Sequence, residues 1–216
     1  MAMNRRDFLR MSAALTAAGM SPSLFAATKE QFTIYGAPAM PSVTIAVAAA
    51  QGKLAKQADV ALEIWRSPDQ LRAGVASGQF KVMMSPSNVG VNLRNQGQQV
   101  GMVNILTNGI TQLMCKSTPI TSPQELVGKK ILVPFKNDMP DIVLQALLKK
   151  LNIDINKVEI TYAATPTEAI GLFLLKDFHA AILPEPMASA VVQKAKIVGT
   201  EIVRGFDLVK EWGQAF

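Results

Sequence analysis

From Gln31 onward the chain alternates short runs of β-forming residues with stretches of helical spacing, and this alternation limits the fold more than any other feature. Strand, helix and strand in succession bury their apolar faces only when the strands lie mostly parallel and the helices cover the sheet, so the pattern specifies an α/β fold. Strands are predicted at Gln31–Tyr35, Val60–Trp65, Val82–Met84, Val100–Leu106 and Ile110–Cys115, within Gly128–Pro134, and at Val158–Ala163 and Ala180–Leu183. Helices are predicted from Ser42 to about Leu54, from the Ser67-Pro68 cap onward, and from Ser85-Pro86-Ser87-Asn88 to about Asn95. A short helix follows Ser122 with capping-box spacing to Glu125; longer ones cover Asp141–Leu151, Thr167–Lys176 and Pro184 to about Lys194. Near Thr107-Asn108-Gly109 the pattern restarts. Two lobes with a cleft between them are therefore expected, residues 27–108 and 109–195, with 196–216 returning to the first.

The segment ahead of this body has a different character. Asn4-Arg5-Arg6-Asp7-Phe8-Leu9-Arg10 sets an arginine pair before Phe-Leu and a basic residue, followed by a mildly apolar stretch from Met11 to Met20 and small residues at Ala26-Ala27. It resembles a twin-arginine export signal, residues 1–26, with cleavage near Ala27. The apolar stretch is shorter than the roughly 20 strongly apolar residues a membrane anchor wants. No cysteine lies near the cleavage region, so lipid attachment is not expected, and the resemblance implies a soluble periplasmic protein handed to the twin-arginine export machinery.

Composition removes several function classes. The formal net charge is +6, and removing Arg5, Arg6, Arg10 and Asp7 with the signal leaves +4. That excess is dispersed: Lys129-Lys130 and Lys149-Lys150 are the adjacent basic pairs of the body, without aromatic interleaving, which argues against nucleic-acid binding. A single cysteine, Cys115, forbids an intrachain disulfide, and a single histidine, His179, supplies neither a zinc set nor a Ser-His-Asp order. No cofactor is implied. The 11 methionines read as adaptable core filling.

In open α/β sheets a ligand sits beyond the carboxyl ends of the strands, where helix N-termini point their amides at it. Applied here, the rule selects Gly36, Ala37, Pro38 and Met40 after the first strand, and Ser85, Ser87 and Asn88 after the third. In the second lobe it selects Lys136, Asn137, Asp138 and Glu185. Ser87 and Asn88 serve equally well as helix caps, Lys136 as a solvated loop residue, and Glu185 as an acid complementing a helix dipole. Lys136 suits an anion and Glu185 a cation, so the ligand's charge stays open.

Three stretches carry a resemblance that covers about Gln31 to Lys194. The Asp69–Gln79 helix with its Ser77-Gly78 end leads into Val82–Ser85; Ser122-Pro123-Gln124-Glu125-Leu126-Val127-Gly128-Lys129-Lys130-Ile131 opens the second lobe; and Ala180-Ala181-Ile182-Leu183-Pro184-Glu185-Pro186 forms a strand and turn. In this order they resemble the periplasmic solute-binding proteins of ABC importers, in the group for nitrate, sulfonates, taurine, bicarbonate and thiamine-pyrimidine precursors. His179 stands where that family usually has Asp. The resemblance implies a two-lobed type II periplasmic-binding-protein fold, its first lobe small or incomplete toward the C-terminus. It further implies a monomeric, non-enzymatic binder that closes on a small molecule and delivers it to an inner-membrane permease. Related pyrimidine-synthesising enzymes share the scaffold but carry a cysteine-rich motif and catalytic histidine not found here, which leaves an enzyme, or a sensor that binds a partner protein, as the alternatives.

Overall fold

Two sheets organise the chain in the computed structural model, which describes residues 30–215; the arginine pair and apolar stretch of the export signal lie outside these residues. The first sheet has three strands in the order β2-β1-β3: β1 (Glu30–Gly36), β2 (Ala58–Ile64) and β3 (Val82–Met83). β1 and β3 run parallel, with Ile34 opposite Val82 and Tyr35 opposite Met83. Between β1 and β2 lie α1 (Pro41–Gln51) and α2 (Lys53–Gln57). The sequence reads as one helix there, but the backbone turns extended at Gly52 and breaks it, and a Cβ at this position would meet Ala48 O at 2.9 Å. α3 (Pro68–Ala76) begins as its residues dictate, Ser67 accepting a hydrogen bond from Gln70 N at 3.3 Å and Pro68 opening the first turn. α4 (Ser87–Asn95) follows β3 and buries Val89 and Leu93. Tyr35, Trp65, Leu71, Val75, Phe80, Val89 and Leu93 form this lobe's core.

The predicted strand Val100–Leu106 is not one. The stretch is irregular and unpaired, with Val103 fully exposed and Met102, Ile105 and Leu106 exposed as well. Its residues favour a strand, but a strand exists only against a neighbour, and none of the described strands runs beside it. Exposed apolar side chains collect on this lobe, among them Val43, Val47, Ile64, Val82 and Val91.

The second sheet has five strands in the order β6-β5-β7-β4-β8. β5 (Lys130–Pro134) is parallel to β6 (Glu159–Ala163) and to β7 (Ala180–Pro184), while β4 (Thr111–Lys116) runs antiparallel to both β7 and β8 (Ile202–Arg204). Every residue of β7 is buried, as expected of a strand covered on both faces. Successive side chains feed two separate cores. Leu113, Ile131 and Ile182 point to one face, under α5 (Met139–Lys150) and α8 (Leu208–Ala215). Met114, Leu132 and Leu183 point to the other, under α6 (Pro166–Leu175) and α7 (Met187–Ile197). Ser122 precedes a single 3-10 turn, Pro123–Leu126, rather than an α-helix, and Glu125 accepts from Thr121 N at 3.2 Å.

The residues after 195, expected to return to the first lobe, place β8 on the outer edge of β4 and α8 beside α5. Open backbone along β4 and the apolar Ile202, Phe206 and Leu208, all buried, account for that choice. Residues Gln31–Phe216 form one compact unit. Among the described residues no helix is long and apolar enough to cross a membrane.

Candidate functional site

The carboxyl ends of β1, β3, β5 and β7 carry all the residues selected from sequence, and the geometry brings part of that set together across the two lobes. The loop after β1 is held by Ser42, which donates to Ala37 O at 2.5 Å, and by Trp65, whose backbone N–H donates to Gly36 O at 3.1 Å and whose indole donates to Met84 O at 2.9 Å. Gly36 and Ala37 are buried, Pro38 is half-buried and Met40 is exposed. Met40 N then crosses to the second lobe and donates to Glu185 O at 2.9 Å.

After β3, the helix α4 begins at Pro86 without any side-chain cap. Ser87 and Asn88 therefore do not play the capping role their residue types allow. Ser87 is exposed, and Ser85 makes no side-chain hydrogen bond among the described residues. Asn88 Nδ2 instead lies 3.5 Å from Asp138 Oδ1 of the second lobe, while its own Oδ1 is buried without a partner.

The loop after β5 is the most constrained part of the site. Phe135 and Asn137 both have left-handed backbone, φ 62° and 60°. Buried Asp141 secures this shape: its carboxylate accepts from Asn137 N at 2.7 Å, Gln145 Nε2 at 2.8 Å and the Tyr162 hydroxyl at 3.0 Å. Burial and the bond to Asp141 push the Tyr162 hydroxyl up to about 12. Lys136 stays exposed with Nζ 5.3 Å from the centre of the Tyr162 ring. Asp138 is buried, caps α5 through Met139 N at 2.8 Å and takes Arg72 Nη2 of the first lobe at 3.6 Å from Oδ2.

Glu185 stands just ahead of α7. Its carboxylate accepts from Ser189 N in the first turn of α7 at 3.1 Å and pairs with Arg204 at 3.1 Å, so its charge is compensated from within its own lobe. Thr111, where β4 starts beside the end of β7, is buried with Oγ1 4.0 Å from Met139 Sδ. Arg72, Thr111, Asp141 and Tyr162 were not selected from sequence. Asp141 carried a signal, as an acid in the first turn of a predicted helix; Arg72 carried one only as an i,i+3 partner of Asp69.

The two residues best suited to chemistry lie in ordinary structural roles. Cys115 is fully buried in β4, and desolvation raises its thiol above the usual range. His179 Nδ1 accepts the Lys130 backbone N–H at 3.0 Å on the surface. Among the described residues no group of three or more His, Cys, Asp or Glu side chains is placed to hold a metal ion.

Solved structures share this fold. An ABC transporter protein from Parabacteroides distasonis matches with TM-score 0.63 and 21% identity over 84% of this chain and 59% of its own. The periplasmic aliphatic sulphonate-binding protein SsuA of Escherichia coli matches with TM-score 0.61 and 14% identity over 82% and 60%. The alkanesulfonate-binding SsuA of Xanthomonas axonopodis pv. citri, bound to MOPS, matches with TM-score 0.60 and 18% identity over 83% and 62%. The chain thus has the type II periplasmic-binding-protein fold and spans about three-fifths of the length of these proteins. No curated protein matches it in sequence. Residues 2–22 match the twin-arginine translocation signal, which addresses the chain for export to the periplasm. Residues 40–174, more than half of the sequence, match the NMT1/THI5-like model, and the chain belongs to that family.

Proposed function

We propose that this protein is the substrate-binding component of an ABC-type importer: a non-enzymatic periplasmic binder that takes a small molecule between its lobes and presents it to an inner-membrane permease. One observation carries the reading. The loops at the carboxyl ends of β1, β3, β5 and β7, drawn from two different sheets, meet face to face, with Met40 against Glu185 and Asn88 against Asp138. Such a juncture favours a ligand touching both lobes, and contact with both is what drives hinge closure.

The polar groups there support a ligand with an anionic or strongly accepting end, such as a sulfonate, nitrate, bicarbonate or a pyrimidine-like compound. α1 and α4 reach the cleft with no side-chain cap and no acid in the first turn, leaving their amides for a ligand. Glu185, the residue that argues for a cation, is already neutralised by Arg204. An enzyme on this scaffold needs a nucleophile beside a base; buried Cys115 and surface His179 serve packing and a backbone hydrogen bond instead.

A thermal-shift screen of the mature protein against sulfonates, nitrate, bicarbonate, pyrimidines and amino acids tests the proposal. One compound is expected to raise Tm saturably, by about 5–10 °C at a hundredfold excess over Kd. Exposed Ser87, changed to Ala, is expected to weaken that response while leaving the Tm of the free protein in place. A panel without any shift, together with recovery of a protein partner in pull-down, overturns the reading, and turnover of a bound compound replaces it with the enzyme.

A further inference from the structure

We infer that Asp138 is the acceptor of an interlobe latch, with Arg72 and Asn88 as its donors, and that this latch positions the lobes before any ligand arrives. The inference rests on the reading of the cleft as a binding site. Asp138 is only 2% exposed, and a carboxylate so buried requires compensation by charge and hydrogen bonds. Its own lobe supplies Met139 N, at 2.8 Å on Oδ1. The compensating cation comes from the first lobe: Arg72 Nη2 on α3 stands 3.6 Å from Oδ2, and Asn88 Nδ2 on α4 adds a contact at 3.5 Å to Oδ1.

Arg72 is held ready for this. Asp69, one turn earlier on the same helix, binds its Nη1 at 3.2 Å and so restricts the guanidinium to the side facing Asp138. Both crossing contacts are long for hydrogen bonds. That is the range expected of a latch that biases closure and still lets the lobes reopen, because a hinge protein needs a small free-energy gap between its states. Arg72 and Asp138 are thus positioning residues: they act on a ligand through the separation of the lobes.

The test uses the full chain carrying Lys81→Cys and Lys149→Cys, one exposed probe site on each lobe, labelled with a fluorescent donor and acceptor; buried Cys115 stays unlabelled in the folded protein. Interlobe distance is measured without ligand in the parent, in Arg72→Gln, in Asp138→Asn and in the double variant. Asparagine caps a helix about as well as aspartate, so Asp138→Asn removes the charge and leaves the α5 cap. Each single change is expected to raise the open population roughly tenfold, and the double variant no further than either single one, as coupled partners do. Unchanged distances in Arg72→Gln, or effects that add in the double variant, overturn the latch. If Asp138→Asn fails to fold, Arg72→Gln alone decides. Because no ligand is present, a failed ligand screen leaves this result standing, and a failed latch leaves the ligand screen untouched.

Discussion

Asp141 has three donors aimed at one buried carboxylate: Asn137 N, Gln145 Nε2 and the Tyr162 hydroxyl. Its replacement by Ala is expected to destabilise the protein by about 3 kcal/mol in urea unfolding, because three hydrogen bonds to one buried carboxylate are lost together. Tyr162→Phe, which removes one donor only, is expected to cost about 1 kcal/mol. Tyr162 also sets a pH limit. The folded state keeps its hydroxyl protonated up to about 12, whereas the unfolded chain ionises near 10, so the stabilisation is complete below pH 10 and is lost as pH rises toward 12. Denaturation midpoints measured across that window should fall more steeply in the parent than in Tyr162→Phe. At this scale the sequence marked acids, loops and caps by residue type, as with Ser67, Asp138 and Asp141. It could not mark the partners, since Tyr162 and Arg72 reach those acids from different elements and residue spacing says nothing about such meetings.

Elements were legible wherever local chemistry decided them. Ser67-Pro68 opens α3 because the serine oxygen and the missing proline N–H fit a first turn whatever surrounds them. The continuous apolar runs of β5 and β7 likewise announce strands buried on both faces. Val100–Leu106 departs from the expected strand for the opposite reason: its composition suits a strand, but pairing is supplied from elsewhere. β8 and α8 leave no mark in the sequence because three residues and a short terminal helix carry too little periodicity. Packing also inverts a common rule in α3. Replacing a helical glycine by alanine ordinarily stabilises by about 1 kcal/mol. At Gly74 a methyl group would meet the Phe80 ring at 2.5 Å, and that ring is stacked on Tyr35 with 3.6 Å between centroids. Gly74→Ala is therefore expected to lower Tm, with weakened near-ultraviolet dichroism from the displaced aromatic pair.

For the molecule as a whole, the α/β class and the two-lobed architecture followed from the alternation of elements. The order of strands did not, because it depends on which edges find one another in three dimensions. That order has a consequence for the timing of synthesis. β4 is made before β5, β6 and β7, yet its partners are β7 and β8, so Thr111 waits for Pro184 and Met114 for Arg204. At typical elongation rates the wait is on the order of 5–20 s, with a buried-type strand uncovered throughout. Pulsed hydrogen exchange during refolding should show the amides of Leu113–Cys115 gaining protection late, in step with those of Ile202–Arg204. Residues 2–22 match a twin-arginine signal, and that route carries folded proteins. An address at the N-terminus leaves the ribosome first, but here the cargo becomes fit to travel only when Arg204 has followed it out.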